Sequence, residues 1–121
     1  MAAAVNFPGF MLVEEFLNWD APGGHRWELI DGVPVAMAPP VPLHGAIQNE
    51  VGRLIGNHLV NRRSPCSVIA TPGVIPPVRG DRDFMIPDLA VTCSPADLTG
   101  RALHEPVLLI EILSPSNEAE T

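Results

Sequence analysis

Fourteen prolines and ten glycines are spread through 121 residues, so this chain must be built from short elements joined by many turns. The main exception is a segment from about 43 to 60, where helical spacing persists. At about 100° per residue, His44, Ile47, Val51, Leu54, Ile55 and His58 gather on one side of that helix. Asn49, Arg53 and Gly56 fall opposite, and Glu50 lies at the border of the apolar stripe. His44 thus opens the helix and is expected to point inward, and His58 is expected in the core.

The remaining segments are shorter. Residues 10–19 carry apolar groups at 10, 12, 13, 16 and 17 with Glu14 and Glu15 outward, which predicts a helix ended by Asp20-Ala-Pro-Gly-Gly24. Strands are expected near 26–31 and 33–38, joined at Asp31-Gly32, a hairpin signal. Pro34 places the second of them at an edge. Further strands are expected over 66–76, broken at Pro72-Gly73, over 84–92, and over 107–113, with a loop from about 93 to 105. Ser116 or Asn117 could cap a helix whose first turn holds Glu118 and Glu120. Several strands with one long helix predict a single mixed α/β domain over 1–121.

Composition narrows the function. An apolar fraction of 46% suits a globular domain, and a net charge of −7 is unusual for a nucleic-acid binder. All seven cations are arginine, at 26, 53, 62, 63, 79, 82 and 101. A mechanism that needs a lysine cannot be completed by these residues. Cys66 and Cys93 lie in no CxxC spacing, so a zinc cluster is not expected; both read as buried free thiols in a reduced, cytoplasmic compartment. The N-terminus has no basic region before its apolar residues, and Glu14 and Glu15 break the next apolar stretch, so neither a signal peptide nor a membrane span is expected.

Two acids interrupt apolar runs. Glu111 sits within Pro106-Val-Leu-Leu-Ile-Glu-Ile-Leu113, and Asp88 within Phe84-Met-Ile-Pro-Asp-Leu-Ala-Val91. A carboxylate in a buried strand is costly unless paired. Ile86, Asp88 and Ala90 share one strand face, as do Val107, Leu109, Glu111 and Leu113. If the strands are neighbours, both acids can face the same side. Pro87 weakens the ladder just before Asp88 and favours a strand end or bulge there. Two close carboxylates repel, and a shared Mg²⁺ or Mn²⁺ would remove the repulsion, polarise a phosphoryl oxygen and activate water. The plainer alternative is an exposed strand end or an arginine partner for each acid. Glu28 could reach the ion from the first hairpin or pair with Arg26 or another cation. His44 could orient a phosphate or water, or serve as a hydrogen-bonded core residue. Glu50 reads as a helix acid or a solvated edge, and Arg62-Arg63 as phosphate contacts or helix-dipole partners.

Five segments occur in order: Arg26-Trp-Glu-Leu-Ile-Asp-Gly-Val33, Met37-Ala-Pro-Pro40, Pro42-Leu-His44, Pro87-Asp88-Leu89 and Ile110-Glu111-Ile-Leu-Ser-Pro-Ser116. Together they resemble the bacterial restriction-endonuclease family called Uma-two, of the PD-(D/E)XK nuclease superfamily, from about residue 10 to 117. The resemblance implies a restriction-endonuclease-like fold, a mixed central sheet flanked by helices. It implies Asp88 and Glu111 as the metal-binding catalytic acids. Two residues after the second acid, where the common motif has lysine, this chain has Leu113. The family is expected to supply lysine from a helix after the Ser-Pro-Ser segment, followed by a further strand, so the chain is read as C-terminally truncated. The resulting expectation is a Mg²⁺-dependent phosphodiester hydrolase, weakly active or inactive, acting on nucleic acid, in the first instance DNA, with a homodimer as one arrangement for cutting two strands. The alternatives are a non-catalytic remnant or accessory domain, and a small-molecule or peptide-binding module on the sheet's apolar face.

Overall fold

The computed structural model describes residues 9–113. Its elements are α1 (Val13–Leu17), β1 (Trp27–Ile30), β2 (Val33–Ala36), α2 (Pro42–Asn61), β3 (Ser67–Ala70), β4 (Leu89–Thr92), α3 (Pro95–Thr99) and β5 (Pro106–Ile110). The α/β class is present, and the described strands pair antiparallel throughout. They form two sheets, β1-β2 and β3-β4-β5. The chain divides into two compact units, one from residues 1–39 with 74–86, the other from 40–73 with 87–121. The predicted helix start near Ser116 lies outside the described residues.

The first unit is organised by the predicted hairpin. Ile30 pairs with Val33 across a two-residue loop in which Asp31 and Gly32 both take positive φ, 48° and 82°. Asp-Gly suits this turn because aspartate tolerates and glycine prefers the left-handed region. On its other side β1 exchanges both backbone bonds between Leu29 and Phe84, at 2.8 and 2.9 Å, which leaves β2 and its Pro34 at the edge. Leu29 is fully buried among Trp27, Val74, Phe84, Val13 and Phe16, the hydrophobic interior of this unit. Phe16 and Phe84 lie 5.5 Å apart, and Trp19 meets Trp27 edge to face at 5.2 Å.

The first helix is shorter than the predicted 10–19. Met11 N donates to Gly32 O at 2.7 Å, which holds the chain extended there, and the Glu15 carboxylate reaches back to Leu12 N at 2.8 Å. Helix therefore begins only at Val13. Asp83, buried at the end of a turn, accepts from Asp31 N at 2.6 Å and from Arg79 Nε at 3.1 Å.

In the second unit, β4 is the central strand, and all four of its residues are buried. Leu89, Ala90 and Val91 pack with Ala102 and Leu103 as the core. The predicted loop over 93–105 contains α3. Its Asp97 is buried and accepts from His104 N at 3.1 Å, Glu105 N at 3.0 Å and the Thr92 hydroxyl at 2.9 Å. Burial alone would push the Asp97 pKa up, but these donors outweigh it and hold the carboxyl below its ordinary 3.8.

The long helix forms where expected, but a different face packs. His44, Gly45, Gln48, Val51, Gly52, Ile55, Gly56 and Leu59 are half-buried, whereas Ile47, Leu54 and His58 are exposed. The reason is steric. A Cβ on Gly52 would lie 3.4 Å from Leu89 Cδ2, and one on Gly56 would lie 3.6 Å from Val68 Cγ1. A bare Cβ would make ordinary contact at either position and leave little room beyond it, so small residues share the packed face with Val51 and Ile55, while Ile47, Leu54 and His58 face outward. Leu54, Leu59, Val91, Val107 and Leu108 line an open apolar groove of about 350 Å³.

The expectation of free thiols fails. Cys66 and Cys93 form a disulfide across a 27-residue separation. Ser67 pairs with Thr92 at the end of the β3-β4 ladder, so one further step outward sets the two cysteines opposite each other. Neither position can be recognised as paired without the strand register.

The disulfide and the Asp97 network can each be tested. Unreduced protein should take up no thiol alkylator by mass spectrometry, and replacing both cysteines with serine should lower stability by about 3 kcal/mol. For Asp97, a depressed folded-state pKa stabilises the fold above the unfolded value, and this contribution is lost as pH falls through the folded value. Asp97→Asn should therefore melt below wild type at neutral pH, with the gap narrowing as pH falls below the ordinary aspartate value of about 4.

Candidate active site

The second unit brings Asp88 and Glu111 together at one end of the β4-β5 pair. Leu89 opposes Ile110 as the terminal pair of the ladder. Asp88 immediately precedes β4 and Glu111 immediately follows β5, so they are the next opposed positions. Neither acid is inside a buried strand, as the apolar flanks suggested. Val107, Leu108 and Leu109 of β5 are 65, 47 and 44% exposed, and the strand stops at Ile110. The strand-end placement expected from Pro87 is what the structure contains.

Past Leu89 and Ile110, side chains replace the backbone ladder. Asp88 N donates to Glu111 Oε1 at 3.1 Å, and Ile112 N donates to Asp88 Oδ2 at 2.6 Å. Each acid thus accepts a backbone N–H from the opposite strand. The exchange fixes both carboxyl groups and fastens the end of the sheet.

His44 completes the cluster from α2. Its Nε2 lies 3.1 Å from Asp88 Oδ1, with the two side chains only 13 and 16% exposed. Donation from Nε2 to an ionised Asp88 requires the proton on that nitrogen, which leaves Nδ1 as an acceptor in the neutral ring. Nδ1 is buried and has no hydrogen-bond partner among the described residues. His44 is the third residue of α2, so the positive end of the helix dipole lies beside the Asp88 carboxylate. His44 is thus inward and hydrogen-bonded, as both sequence readings allow, and its partner is one of the two acids.

Of the other sequence candidates, Glu28 and Glu50 have partners of their own. Glu28 lies on β1 in the first unit, where Oε2 accepts from Ile86 N at 2.8 Å. Its partner is a backbone amide, not the arginine considered from sequence. Glu50 is exposed and ion-paired with Arg53, whose guanidinium holds the Glu50 carboxyl below the usual range. Arg62 and Arg63 are exposed at the far end of α2, about 27 Å along the axis from His44. Leu113, at the motif's lysine position, is 56% exposed.

One participant was not found from sequence. Gln48, one turn after His44 on the same face of α2, donates from Nε2 to Asp88 O at 2.8 Å. The signal was the spacing of four residues between two polar side chains, which on a helix share a face.

The donor set suits a small hard cation. Asp88 uses two of its roughly four acceptor positions on His44 and Ile112, leaving others for an ion. Among the described residues, no group of three or more His, Cys, Asp or Glu could enclose a metal. A two-carboxylate site completed by water and phosphate oxygens is the kind Mg²⁺ accepts.

Comparison with known proteins shows the family. Residues 13–121 match the model of the Uma2 family, described as "Putative restriction endonuclease". The chain belongs to this family. It is 31% identical over 107 residues to the uncharacterized protein slr1290 of Synechocystis, covering 88% of this chain and 55% of that protein. It is also similar to a crystal structure from Anabaena variabilis described as "a putative nuclease belonging to DUF820". That likeness has a TM-score of 0.66 and 25% identity, and covers 88% of this chain and 60% of the other. The chain thus spans little more than half the length of the relatives it matches.

Proposed function

We propose that this Uma2-family chain carries the metal-binding half of a nuclease-type phosphodiester hydrolase, with Asp88 and Glu111 as ligands of one Mg²⁺ or Mn²⁺ ion. The observation that supports this most is the reciprocal bonding of the two acids at adjacent cross-strand positions. It holds two like charges close together, and a divalent cation beside both relieves their repulsion. An ion bound there would polarise a phosphoryl oxygen of nucleic acid and lower the pKa of water.

The chain's own residues have separable duties in this reading. Asp88 and Glu111 hold the ion. His44 orients the Asp88 carboxylate through Oδ1 and keeps its remaining lone pairs directed outward. The Ile112 amide performs the same service on Oδ2. None of the 121 residues is a lysine, so the side chain that would offset developing negative charge must come from an arginine, a further segment or a second subunit. The net charge of −7 likewise limits affinity for a polyanion unless bound cations offset it. Cleavage by these residues alone is therefore expected to be slow. DNA is the first substrate to test.

The missing lysine also favours a second reading, a non-catalytic accessory domain that retains the ion site. The two separate in one experiment. Plasmid and single-stranded DNA are incubated with wild type, Asp88→Ala and Glu111→Ala in Mg²⁺ or Mn²⁺. The nuclease reading predicts weak cleavage that each substitution lowers by at least about 100-fold. Equal cleavage by all three proteins contradicts it. Metal binding without any cleavage supports the accessory reading.

A further inference from the structure

Asp88 is restrained at every polar atom it possesses. Its N donates to Glu111, Oδ1 meets His44, and Oδ2 accepts from Ile112. Its carbonyl accepts twice, from Thr71 N at 2.9 Å and from Gln48 Nε2 at 2.8 Å. Of these partners Gln48 has a particular role, which follows from its position on α2.

His44 and Gln48 are four residues apart on the packed face of α2, so one rigid helix grips Asp88 at two points, the carboxylate and the main-chain carbonyl. Together with the bonds from Ile112 and Thr71 and the bond to Glu111, these two contacts set both its backbone and the direction of its carboxylate. Gly52, one turn beyond Gln48, would place a Cβ 3.4 Å from Leu89 Cδ2, so the helix lies close to the strand where Gln48 reaches it. Gln48 also borders an open cavity of about 350 Å³ lined in part by Asn49, Gly52 and Val68. A side chain lacking the amide would have room to swing away, leaving only Thr71 on the carbonyl.

We propose that Gln48 is a positioning residue that acts through Asp88 to make the ion site prefer a small cation over Ca²⁺. The proposal rests on the reading of Asp88 and Glu111 as ligands. Its physical basis is rigidity. Mg²⁺ requires near-ideal octahedral geometry at about 2.0–2.1 Å, whereas Ca²⁺ tolerates irregular ligands at about 2.3–2.6 Å. An aspartate fixed at backbone and side chain favours the first; a loosened one relaxes toward the second.

The test is calorimetric titration of the full chain with Mg²⁺, Mn²⁺ and Ca²⁺, using wild type, Gln48→Met, Asn49→Ala and Asp88→Ala. Gln48→Met should weaken Mg²⁺ and Mn²⁺ binding by about 10-fold or more, as loss of an outer partner does. Ca²⁺ affinity should change by less, so the preference for the small ions shrinks. Asn49→Ala, on the same cavity wall but not bonded to Asp88, should match wild type. An unchanged preference in Gln48→Met, whether all affinities hold or all fall together, overturns the proposal, because a merely structural role would not alter the ratio. If Asp88→Ala binds like wild type, the ligand reading itself fails, which is a distinct outcome and removes the basis for this one. Should Gln48→Met not fold, Gln48→Ala takes its place, with the same narrowing of the small-ion preference expected and an unchanged ratio overturning the proposal.

Discussion

The end of the β4-β5 pair is held by side chains acting in place of backbone. Beyond Leu89 and Ile110, the amide of Asp88 is taken by the Glu111 carboxylate, and the amide of Ile112 by the Asp88 carboxylate. Charge-assisted bonds of this kind are stronger than neutral ones, so the ladder ends firmly instead of fraying. The same exchange forces two acids into proximity. Their mutual repulsion is offset by two N–H donors, by His44 and by the positive end of α2. What secures the sheet therefore also builds a dense anionic point at its edge, and a cation at that point would complete the balance of charge.

How much of this could be read from the residues depended on how local the deciding physics was. Asp31-Gly32 names its own turn, because the positive φ values it supplies are a property of those two residues. The acids were legible for a similar reason: carboxylates amid apolar runs are rare enough to attract notice, and a hairpin-like pairing of their strands was the simplest guess. The bounds of α2 were also accessible, with Pro42 at its first position and the apolar period sustained behind it.

The misses share a non-local cause. Hydrophobic periodicity placed Ile47, Leu54 and His58 inward, but close helix–sheet packing is governed by side-chain size, and small residues share that face with Val51 and Ile55. The disulfide depends on a register that brings residues 27 apart into opposition. Helix α3 is five residues long and is held by Asp97 bonds to Thr92, His104 and Glu105, a network invisible to a period count. Glu28 offered a choice of charged partners in sequence, yet its described partner is a main-chain amide 58 residues away. Family membership is secure over 13–121, while the matched relatives carry a good deal more chain than this one. No described helix is long and apolar enough to cross a membrane.

Anomalous diffraction from crystals grown or soaked with Mn²⁺ bears most directly on the two acids. A single manganese peak should lie about 2.1 Å from a carboxyl oxygen of Asp88 and from one of Glu111, with water filling the other positions. A peak bound to one acid alone, or no peak near either at saturating Mn²⁺, would contradict the shared-ion account.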